Sequence, residues 1–331
     1  SNIGNAKLGG LEKDLGMSKS QYQWSLSIFY FSYVIFDLPS NIIMRRWLPS
    51  YWLGILMFFW GAVATAMAAS KNFVTIAICR FLIGLFEAGF FPGVIYFMSL
   101  WYTRQEYGRR ISFFWSFSSL AGAFGGLIAY GISQISSSYL KTWQWLFIIE
   151  GGPTVVLAVF TAWYLPNNPE TARFLSTEEK KLAADRLIED AGASHDNSWS
   201  WAQVASVFTD WKTYVFMTIY ITGTSALQGV TLFLPSIVAG LGIWSTPAAQ
   251  ALTTPPYFLA FLVTVLVGWS SDRYFERAYH MMATNILALF GFLLLIFLPA
   301  TNVAGNYIAA CIVTVGVYSN VAVKVAWFNN N

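Results

Sequence analysis

The sequence contains few ionisable residues, only two cysteines and only two histidines. Charged residues make up 11% of the 331 residues, whereas an average soluble domain has roughly 25%. Cys79 and Cys311 both fall inside apolar segments, which argues against a disulfide, and nothing in the pattern indicates a metal or redox site. The net charge of +3 is too small and too scattered to indicate binding to nucleic acid.

Apolar residues dominate the rest of the chain. Hydrophobic residues reach 56% and aromatic residues 18%, and the mean hydropathy is +0.53. A soluble protein of this length could not bury so much apolar surface. We therefore expect most of that surface to face a lipid bilayer or other helices.

Nine apolar runs each have the length of about twenty residues that a helix needs to cross a bilayer. The alternation of polar and apolar residues that marks barrel strands is not found in the sequence. The pattern therefore predicts an all-α membrane protein. The predicted transmembrane helices are residues 22–44, 52–70, 73–100, 110–132, 143–165, 212–237, 249–269, 280–299 and 303–325.

The distribution of arginine and lysine predicts the orientation of these helices. Arg45 and Arg46 follow the first span, and further basic residues follow the third, fifth and seventh spans, whereas the other connections between spans hold few. Such an asymmetry places the basic loops in the cytoplasm. We therefore expect the long connection at residues 166–211 to be cytoplasmic.

The same connection divides the chain into two groups of helices. We expect an N-terminal bundle at residues 1–165, a linker at 166–211 and a C-terminal bundle at 212–331. The segment Ser176-Thr-Glu-Glu179 resembles a capping box and predicts a short soluble helix inside the linker. The glycine, serine and aspartate residues between 192 and 198 indicate a flexible stretch after that helix.

Several motifs resemble those of a known family and occur in the same order. Arg80-x-x-x-Gly84 followed by Gly89 is similar to the fourth-helix signature of the major facilitator superfamily. Gly268-Trp-Ser-Ser-Asp272-Arg273 is similar to its loop signature between helices eight and nine. More specific segments are "SNIGNAKLGGLEKDLG", "LPSN", "FEAGFFPGVIYFMSLWY", "WLFIIEGGPT" and "LPNNPETARFL". Together they resemble the fungal allantoate-permease-like branch of the anion:cation symporter family.

The resemblance implies a twelve-helix transporter fold of which this chain holds the second to the tenth helix. One helix of the first bundle and the last two of the second are then expected to be missing. The loop signature of the superfamily has an aspartate before its basic residue, whereas this chain has Met44 before Arg45 and Arg46. We therefore expect the cytoplasmic gate to depend mainly on the second copy of the signature, Asp272 and Arg273.

Arg80 and Glu87 are two ionisable residues inside an apolar span. They are seven positions apart, which is two helical turns, so they project from nearly the same face. A charged side chain inside a membrane costs about 2.5–3.5 kcal/mol on insertion scales and needs a partner or a wet cavity. One interpretation is a structural ion pair between Arg80 and Glu150. The other is that the planar fork of Arg80 binds a carboxylate substrate and Glu87 exchanges a proton.

The second interpretation predicts that proton and substrate bind cooperatively. Arg80 keeps Glu87 ionised while no anion is bound. When a substrate anion pairs with Arg80, Glu87 takes up a proton more readily, so each ligand favours the other. The family resemblance supports these roles, because the corresponding residues of related anion transporters serve anion binding and proton coupling.

Other polar residues in the predicted spans are further candidates. Tyr33 is a candidate substrate contact. Asp37, one turn later, suits either the cytoplasmic gate or helix packing. Gln228 belongs to a polar stripe that either lines a cavity or joins helices, since hydroxyl and amide side chains serve both purposes in membranes.

The sequence thus predicts a secondary transporter that takes up a small organic anion, such as allantoate, nicotinate or pantothenate, together with protons by alternating access. We expect a multi-pass monomer in the plasma membrane that needs no cofactor besides the proton gradient. A drug/proton antiporter of the same superfamily is one alternative, and a non-transporting truncated product or nutrient receptor is another. No nucleophile–base pair, metal-ligand cluster or phosphate loop in the sequence indicates an enzyme.

Overall fold

The computed structural model describes residues 2–135, 139–191, 201–274 and 276–328. Within these residues the regular structure is entirely helical. The helices are α1 (Asn2–Leu8), α2 (Leu11–Asp14), α3 (Lys19–Arg46), α4 (Pro49–Ala66), α5 (Phe73–Glu87), α6 (Phe90–Ser99), α7 (Arg104–Ser133), α8 (Thr142–Tyr164), α9 (Thr177–Ala191), α10 (Trp201–Thr209), α11 (Trp211–Gly240), α12 (Thr246–Ala251), α13 (Thr254–Tyr274), α14 (Ala278–Phe297) and α15 (Val303–Phe328).

Nine segments of the described chain are long and apolar enough to cross a membrane. The nine are Lys19–Arg46, Pro49–Ala69, Phe73–Ser99, Arg110–Ser133, Thr142–Tyr164, Trp211–Gly240, Thr246–Tyr274, Ala278–Phe297 and Val303–Phe328. The predicted all-α membrane fold and its nine spans are therefore confirmed. Several helices extend a few residues beyond the predicted limits, within the usual uncertainty of helix ends.

The outer faces of these helices carry exposed apolar side chains. On α3, Val34 and Leu38 are 75% and 69% exposed, and on α8 Trp163 is 77% exposed. A soluble protein would bury such residues, whereas a transmembrane helix presents them to lipid acyl chains. One helix differs: every residue of α15 from Val313 to Ala326 is buried. A helix that is apolar and buried on all sides is surrounded by other protein segments.

Helix contacts divide the chain into two units. The N-terminal unit comprises Asn2–Thr103 and Gly131–Ile188, and the C-terminal unit comprises Arg104–Tyr130 and Glu189–Asn331. This grouping differs at α7 from the division into residues 1–165 and 212–331 expected from the sequence.

Close contacts between α7 and α13 account for the placement of α7 in the C-terminal unit. A Cβ on Gly122 would lie 2.9 Å from the Tyr257 ring, and a Cβ on Gly268 would lie 2.5 Å from the Ser112 side chain. The Thr254 hydroxyl also donates to the Ala123 carbonyl at 3.1 Å. Small residues let two membrane helices approach this closely, and hydrogen bonds between helices then strengthen the contact.

The first part of the linker packs on the N-terminal unit. The backbone N–H of Ser50 donates to the Asn167 side chain at 2.9 Å, and the Arg186 guanidinium donates to the Trp101 carbonyl at 3.3 Å. The predicted capping box is confirmed, since Ser176 and Glu179 exchange hydrogen bonds between side chain and backbone at the start of α9. Those bonds lower the pKa of Glu179 by stabilising its charged form. The predicted flexible stretch at 192–198 lies outside the described residues.

Candidate functional site

Glycines bring α5 and α6 into close contact with α3. A Cβ on Gly84 would lie 2.2 Å from both the Phe29 carbonyl oxygen and the Ser32 hydroxyl, and a Cβ on Gly89 would lie 1.8 Å from the Ser40 hydroxyl. No larger residue fits these positions without moving a helix. The backbones therefore approach closely along two turns, as small residues permit in membranes. This contact fixes where the side chains of α5 meet α3.

Arg80 lies one turn before Gly84 and reaches the backbone of α3. Its Nε–H donates to the Ser25 carbonyl at 3.1 Å, and its guanidinium carbon lies 4.5 Å from the centre of the Phe29 ring. Among the described residues, no carboxylate oxygen lies within 4.0 Å of this guanidinium, and no acceptor pairs with its two Nη groups. The two Nη groups can therefore each donate a hydrogen bond to one oxygen of an incoming carboxylate.

Glu87 ends α5, directly before a break in the span. The helical pattern is interrupted at Ala88 and Gly89 and resumes as α6. Pro92 helps to explain the break, because it has no N–H to donate to the carbonyl four residues earlier. Glu87 is partly buried and forms no ion pair within the described residues. Its charge interacts with that of Arg80 at longer range.

The alternative ion pair between Arg80 and Glu150 is not formed. Glu150 lies on α8, where one carboxylate oxygen is buried and has no hydrogen-bond partner in the described part of the chain. Its neighbour Gly151 packs on α4, where a Cβ would lie 2.5 Å from the Thr65 hydroxyl. The contact between α4 and α8 thus holds Glu150 without bringing a basic group to it.

Two tyrosines of α3 interact electrostatically with Arg80, and the candidate substrate contact Tyr33 lies on the same helix. Tyr22 and Tyr30 are close enough to Arg80 for electrostatic interaction, and Tyr30 also interacts with Glu87. The predicted contact Tyr33 packs on Phe29, with ring centres 5.8 Å apart. Both Tyr30 and Tyr33 are partly buried. Tyr30 thus interacts with both charged residues of α5.

The other predicted residues of α3 lie further along the helix. Asp37 accepts a hydrogen bond from the Asn41 side chain at 3.3 Å, and Asn41 also donates to the Asp37 carbonyl at 2.8 Å. Arg45 and Arg46 are exposed, and the Arg45 guanidinium lies 5.9 Å from the centre of the Tyr96 ring. Neither arginine forms an ion pair within the described residues.

In the C-terminal unit, Gln228 is a partly buried residue of α11. One turn later, Thr231 shares a hydrogen bond of 2.8 Å with the Tyr318 hydroxyl of α15. The Tyr318 ring meets Tyr257 of α13 edge-on, with centres 5.5 Å apart. The polar stripe of α11 therefore joins helices at Thr231.

Asp272 of the loop signature forms an ion pair with an arginine of the loop that follows α13. Asp272 lies 3.8 Å from Arg277, whereas Arg273 is exposed and lies over the Trp269 ring at 5.4 Å. Arg277 also donates to the Ala326 carbonyl near the end of α15. Burial lowers the pKa of Arg277, and the Asp272 charge opposes this effect. The aspartate thus positions an arginine that links the loop after α13 to the end of α15.

Replacing Asp272 with asparagine is expected to loosen that link. The half-buried Arg277 guanidinium loses its carboxylate partner, so we expect a loss of about 1–3 kcal/mol in stability. Thermal unfolding of the purified chain in detergent measures the effect. Glu276→Gln is the matched control, since the Glu276 side chain makes no ion pair in the described structure. Equal midpoints for both variants would contradict the structural role of Asp272.

Lys324 is a buried cation that the sequence interpretation missed. It is 1% exposed, and its ammonium has no hydrogen-bond partner among the described residues. The predicted span ended at 325, which placed Lys324 in the last turn, where a lysine normally reaches the membrane surface. Because α15 continues to Phe328 and is enclosed by other helices, this lysine stays inside the protein.

Comparisons with known proteins identify the family. The sequence profile of the Major Facilitator Superfamily matches residues 2–329. The MFS transporter prlL of Fungal sp. (strain NRRL 50135) is 38% identical to this chain, over 100% of the chain and 68% of that protein. The major facilitator-type transporter hxnP of Emericella nidulans is 34% identical, over 100% of this chain and 68% of that protein.

Solved transporter structures have a similar fold. The xylose transporter XylE from E. coli, in a partially occluded inward-open conformation, matches with a TM-score of 0.71 at 14% identity, over 99% of this chain and 87% of that one. A bacterial homologue of the human lysosomal transporter Spinster matches with a TM-score of 0.68 at 13% identity, over 98% and 71%. These structures support the fold alone. The family profile and the fungal relatives, by contrast, align along nearly the whole sequence, so this chain belongs to the Major Facilitator Superfamily of membrane transporters.

Proposed function

We propose that this transporter carries a small organic anion in symport with protons. The observation that supports the proposal most directly is Arg80, a guanidinium inside a transmembrane helix with no carboxylate within 4.0 Å among the described residues. A cation in that position is expensive to maintain unless it serves a ligand. An anionic substrate supplies the missing partner, whereas a cationic drug would be repelled.

The fixed position of Arg80 suits recognition of a carboxylate. The bond from Nε to the Ser25 carbonyl and the contact with the Phe29 ring hold one side of the guanidinium against α3. The two Nη groups then point away from these contacts as a preformed fork. Two parallel charge-assisted hydrogen bonds to one carboxylate follow from this geometry. Tyr30 of α3, which interacts electrostatically with Arg80 and Glu87, is a candidate for a further contact with the substrate.

We assign the proton to Glu87. Its Cα lies about 10 Å from that of Arg80 along the helix axis, given the rise per residue. At that separation two unit charges interact by roughly 1.7 kcal/mol with an effective dielectric of about 20. Neutralising Arg80 with an anion therefore raises the proton affinity of Glu87 by about fifteenfold, and the proton raises anion affinity by the same factor.

The motifs of the chain support the anion:cation symporter branch, and we place allantoate, nicotinate and pantothenate among the candidate substrates. In this proposal Gln228 and Tyr33 contribute to the substrate path. The cytoplasmic side of the transporter then includes the linker and the candidate gate residues Asp37, Arg45, Arg46, Asp272 and Arg273. The protein is expected to act as a monomer in the plasma membrane.

Uptake by reconstituted protein tests the proposal. We expect proteoliposomes containing the chain to accumulate at least one of three labelled anions, allantoate, nicotinate or pantothenate. Accumulation should rise when the outside is acidified and should disappear when a protonophore collapses the gradient. Glu87→Gln should keep anion binding but lose the dependence on the gradient, because the coupled carboxylate is permanently neutral.

The control for this experiment is Glu178→Gln, which removes an exposed carboxylate on α9. That variant should behave like the wild type. Uptake that is indifferent to the protonophore would exclude proton symport. A Glu87→Gln variant that still responds fully to the gradient would assign the proton to another residue.

A further inference from the structure

Lys324 is a second intramembrane cation, and the function proposed above does not use it. We propose that Lys324 binds a carboxylate group of the transported organic anion, in a niche between α11 and α15 formed with Tyr220, Gly223 and Asn320. The inference depends on the proposed anion transport and adds a binding site in the C-terminal unit to it.

The ammonium of Lys324 has no polar partner in the part of the chain that the structure describes. It is 1% exposed, has no hydrogen-bond acceptor and has no carboxylate within 4.0 Å among the described residues. A lysine that served only to anchor the end of a helix would reach the membrane surface and be hydrated there. A lysine that served only packing would be less favourable than an apolar residue of the same size. Its enclosed position therefore indicates a ligand with negative charge.

The niche on α11 is shaped around this ammonium. A Cβ on Gly223 would lie 2.7 Å from Lys324 Nζ, so the ammonium occupies the space that the missing side chain leaves. The centre of the Tyr220 ring lies 4.9 Å from Lys324 Nζ. An aromatic face attracts a cation but accepts no strong hydrogen bond from it. These contacts hold the ammonium while its three donors remain for an anion.

Asn320 adds an acceptor to the same niche. Its side-chain N–H groups donate to the Met281 carbonyl and the Thr284 hydroxyl of α14, each at 3.1 Å. These two bonds fix the amide so that its oxygen faces Gly223, at 3.8 Å from the position of a Cβ there. The niche thus offers a cationic donor and a neutral acceptor. A carboxylate with an adjacent N–H or O–H group matches this pair, whereas an inorganic anion such as chloride can use only the lysine.

Access to the niche requires a change in the surroundings of α15. The lysine side chain has a flexible four-carbon stem, so its ammonium can turn toward an anion once neighbouring helices part. Alternating access provides such a step in secondary transporters. In the conformation described here the lysine is held against α11.

Equilibrium binding to the purified chain in lipid nanodiscs tests the inference, with labelled allantoate, nicotinate and pantothenate as probes. We expect Lys324→Met to bind the preferred probe at least about tenfold more weakly than the wild type, as loss of a charge-assisted hydrogen bond implies. Gly223→Ala keeps the charge but displaces the ammonium, so we expect a loss of roughly threefold or more. Its clash involves only the flexible end of Lys324, so the fold should persist.

Gly229→Ala is the matched control on the same helix, because nothing lies within 4 Å of a Cβ at that position. It should bind the probe like the wild type. If Lys324→Met fails to fold, the affinity of Gly223→Ala for the probe tests the inference in its place. Wild-type affinity in Gly223→Ala, or in a folded Lys324→Met, overturns the inference.

Arg80→Lys, measured alongside, separates this inference from the proposed function. Weaker binding in Arg80→Lys with unchanged binding in Lys324→Met would leave the proposed function in place and exclude Lys324. Weaker binding in both variants supports the proposed function and the inference about Lys324. Absence of binding of all three probes to the wild type would overturn the two proposals together.

Discussion

Replacing Gly84 with alanine is expected to push α5 away from α3 and to abolish high-affinity anion binding. The added Cβ would lie 2.2 Å from the Phe29 carbonyl oxygen and from the Ser32 hydroxyl, and 3.1 Å from the Phe29 carbonyl carbon. The backbone of α3 cannot yield by a rotamer change, so the whole helix must move. Overpacking of this kind typically costs about 1–3 kcal/mol.

The displacement also reaches the binding site one turn away. Arg80 depends on the Ser25 carbonyl and the Phe29 ring of the same helix for its orientation. When α3 moves, the Nε bond is lost and the fork is no longer preformed. We expect anion affinity to fall by about ten- to a hundredfold, the range for a charge-assisted hydrogen bond.

The measurements are thermal unfolding and anion binding of the same preparation. Gly152→Ala on α8 is the control, because nothing lies within 4 Å of a Cβ there. It adds the same methyl group to a glycine of the same unit and should leave both quantities unchanged. A Gly84→Ala variant with the stability and affinity of the control would show that α3 and α5 do not need this close contact.

Replacing Arg80 with lysine is expected to weaken anion binding by about ten- to a hundredfold while leaving the protein folded. The charge is retained, but an ammonium cannot form two parallel bonds to one carboxylate. A lysine at this position also lacks the separate Nε and Nη groups with which Arg80 donates to the Ser25 carbonyl and binds an anion at the same time. A binding titration with the preferred labelled anion measures the change.

Arg173→Lys serves as the control, since Arg173 is exposed in the linker. The same exchange of side chains there should have no effect on affinity. If Arg80→Lys binds the anion as tightly as the wild type, the fork has no role and Arg80 serves the packing of α3 against α5.

The nine spans could be predicted because the bilayer imposes a length and an apolar composition on each helix separately. The capping box at Ser176 and Glu179 could be predicted for a similar reason, since it involves residues three positions apart. Arg80 and Glu87 were recognisable as functional candidates because a charge inside an apolar run is unusual in itself.

Contacts between helices could not be predicted in the same way. The sequence named Tyr33 as a candidate substrate contact and Asp272 with Arg273 as the second copy of the loop signature, but it did not indicate their partners. In the structure Tyr30 interacts electrostatically with Arg80, and Asp272 forms an ion pair with Arg277. The interaction between Tyr30 and Arg80 depends on the rotation of α3 against α5. Hydropathy in a chain surrounded by lipid carries little information about that rotation, because lipid-facing and protein-facing residues are both apolar.

The sequence by itself determined that the described part of the chain holds nine helices long and apolar enough to cross a membrane, and that one of these spans carries an arginine and a glutamate. These properties follow from composition along the chain, and they hold for each segment alone. Only the tertiary structure decided that Arg80 is held by Ser25 and Phe29 with no carboxylate within 4.0 Å among the described residues, and that Lys324 is enclosed against Gly223. Whether a charge is paired, hydrated or left for a ligand depends on its neighbours, and the packing between helices determines those neighbours.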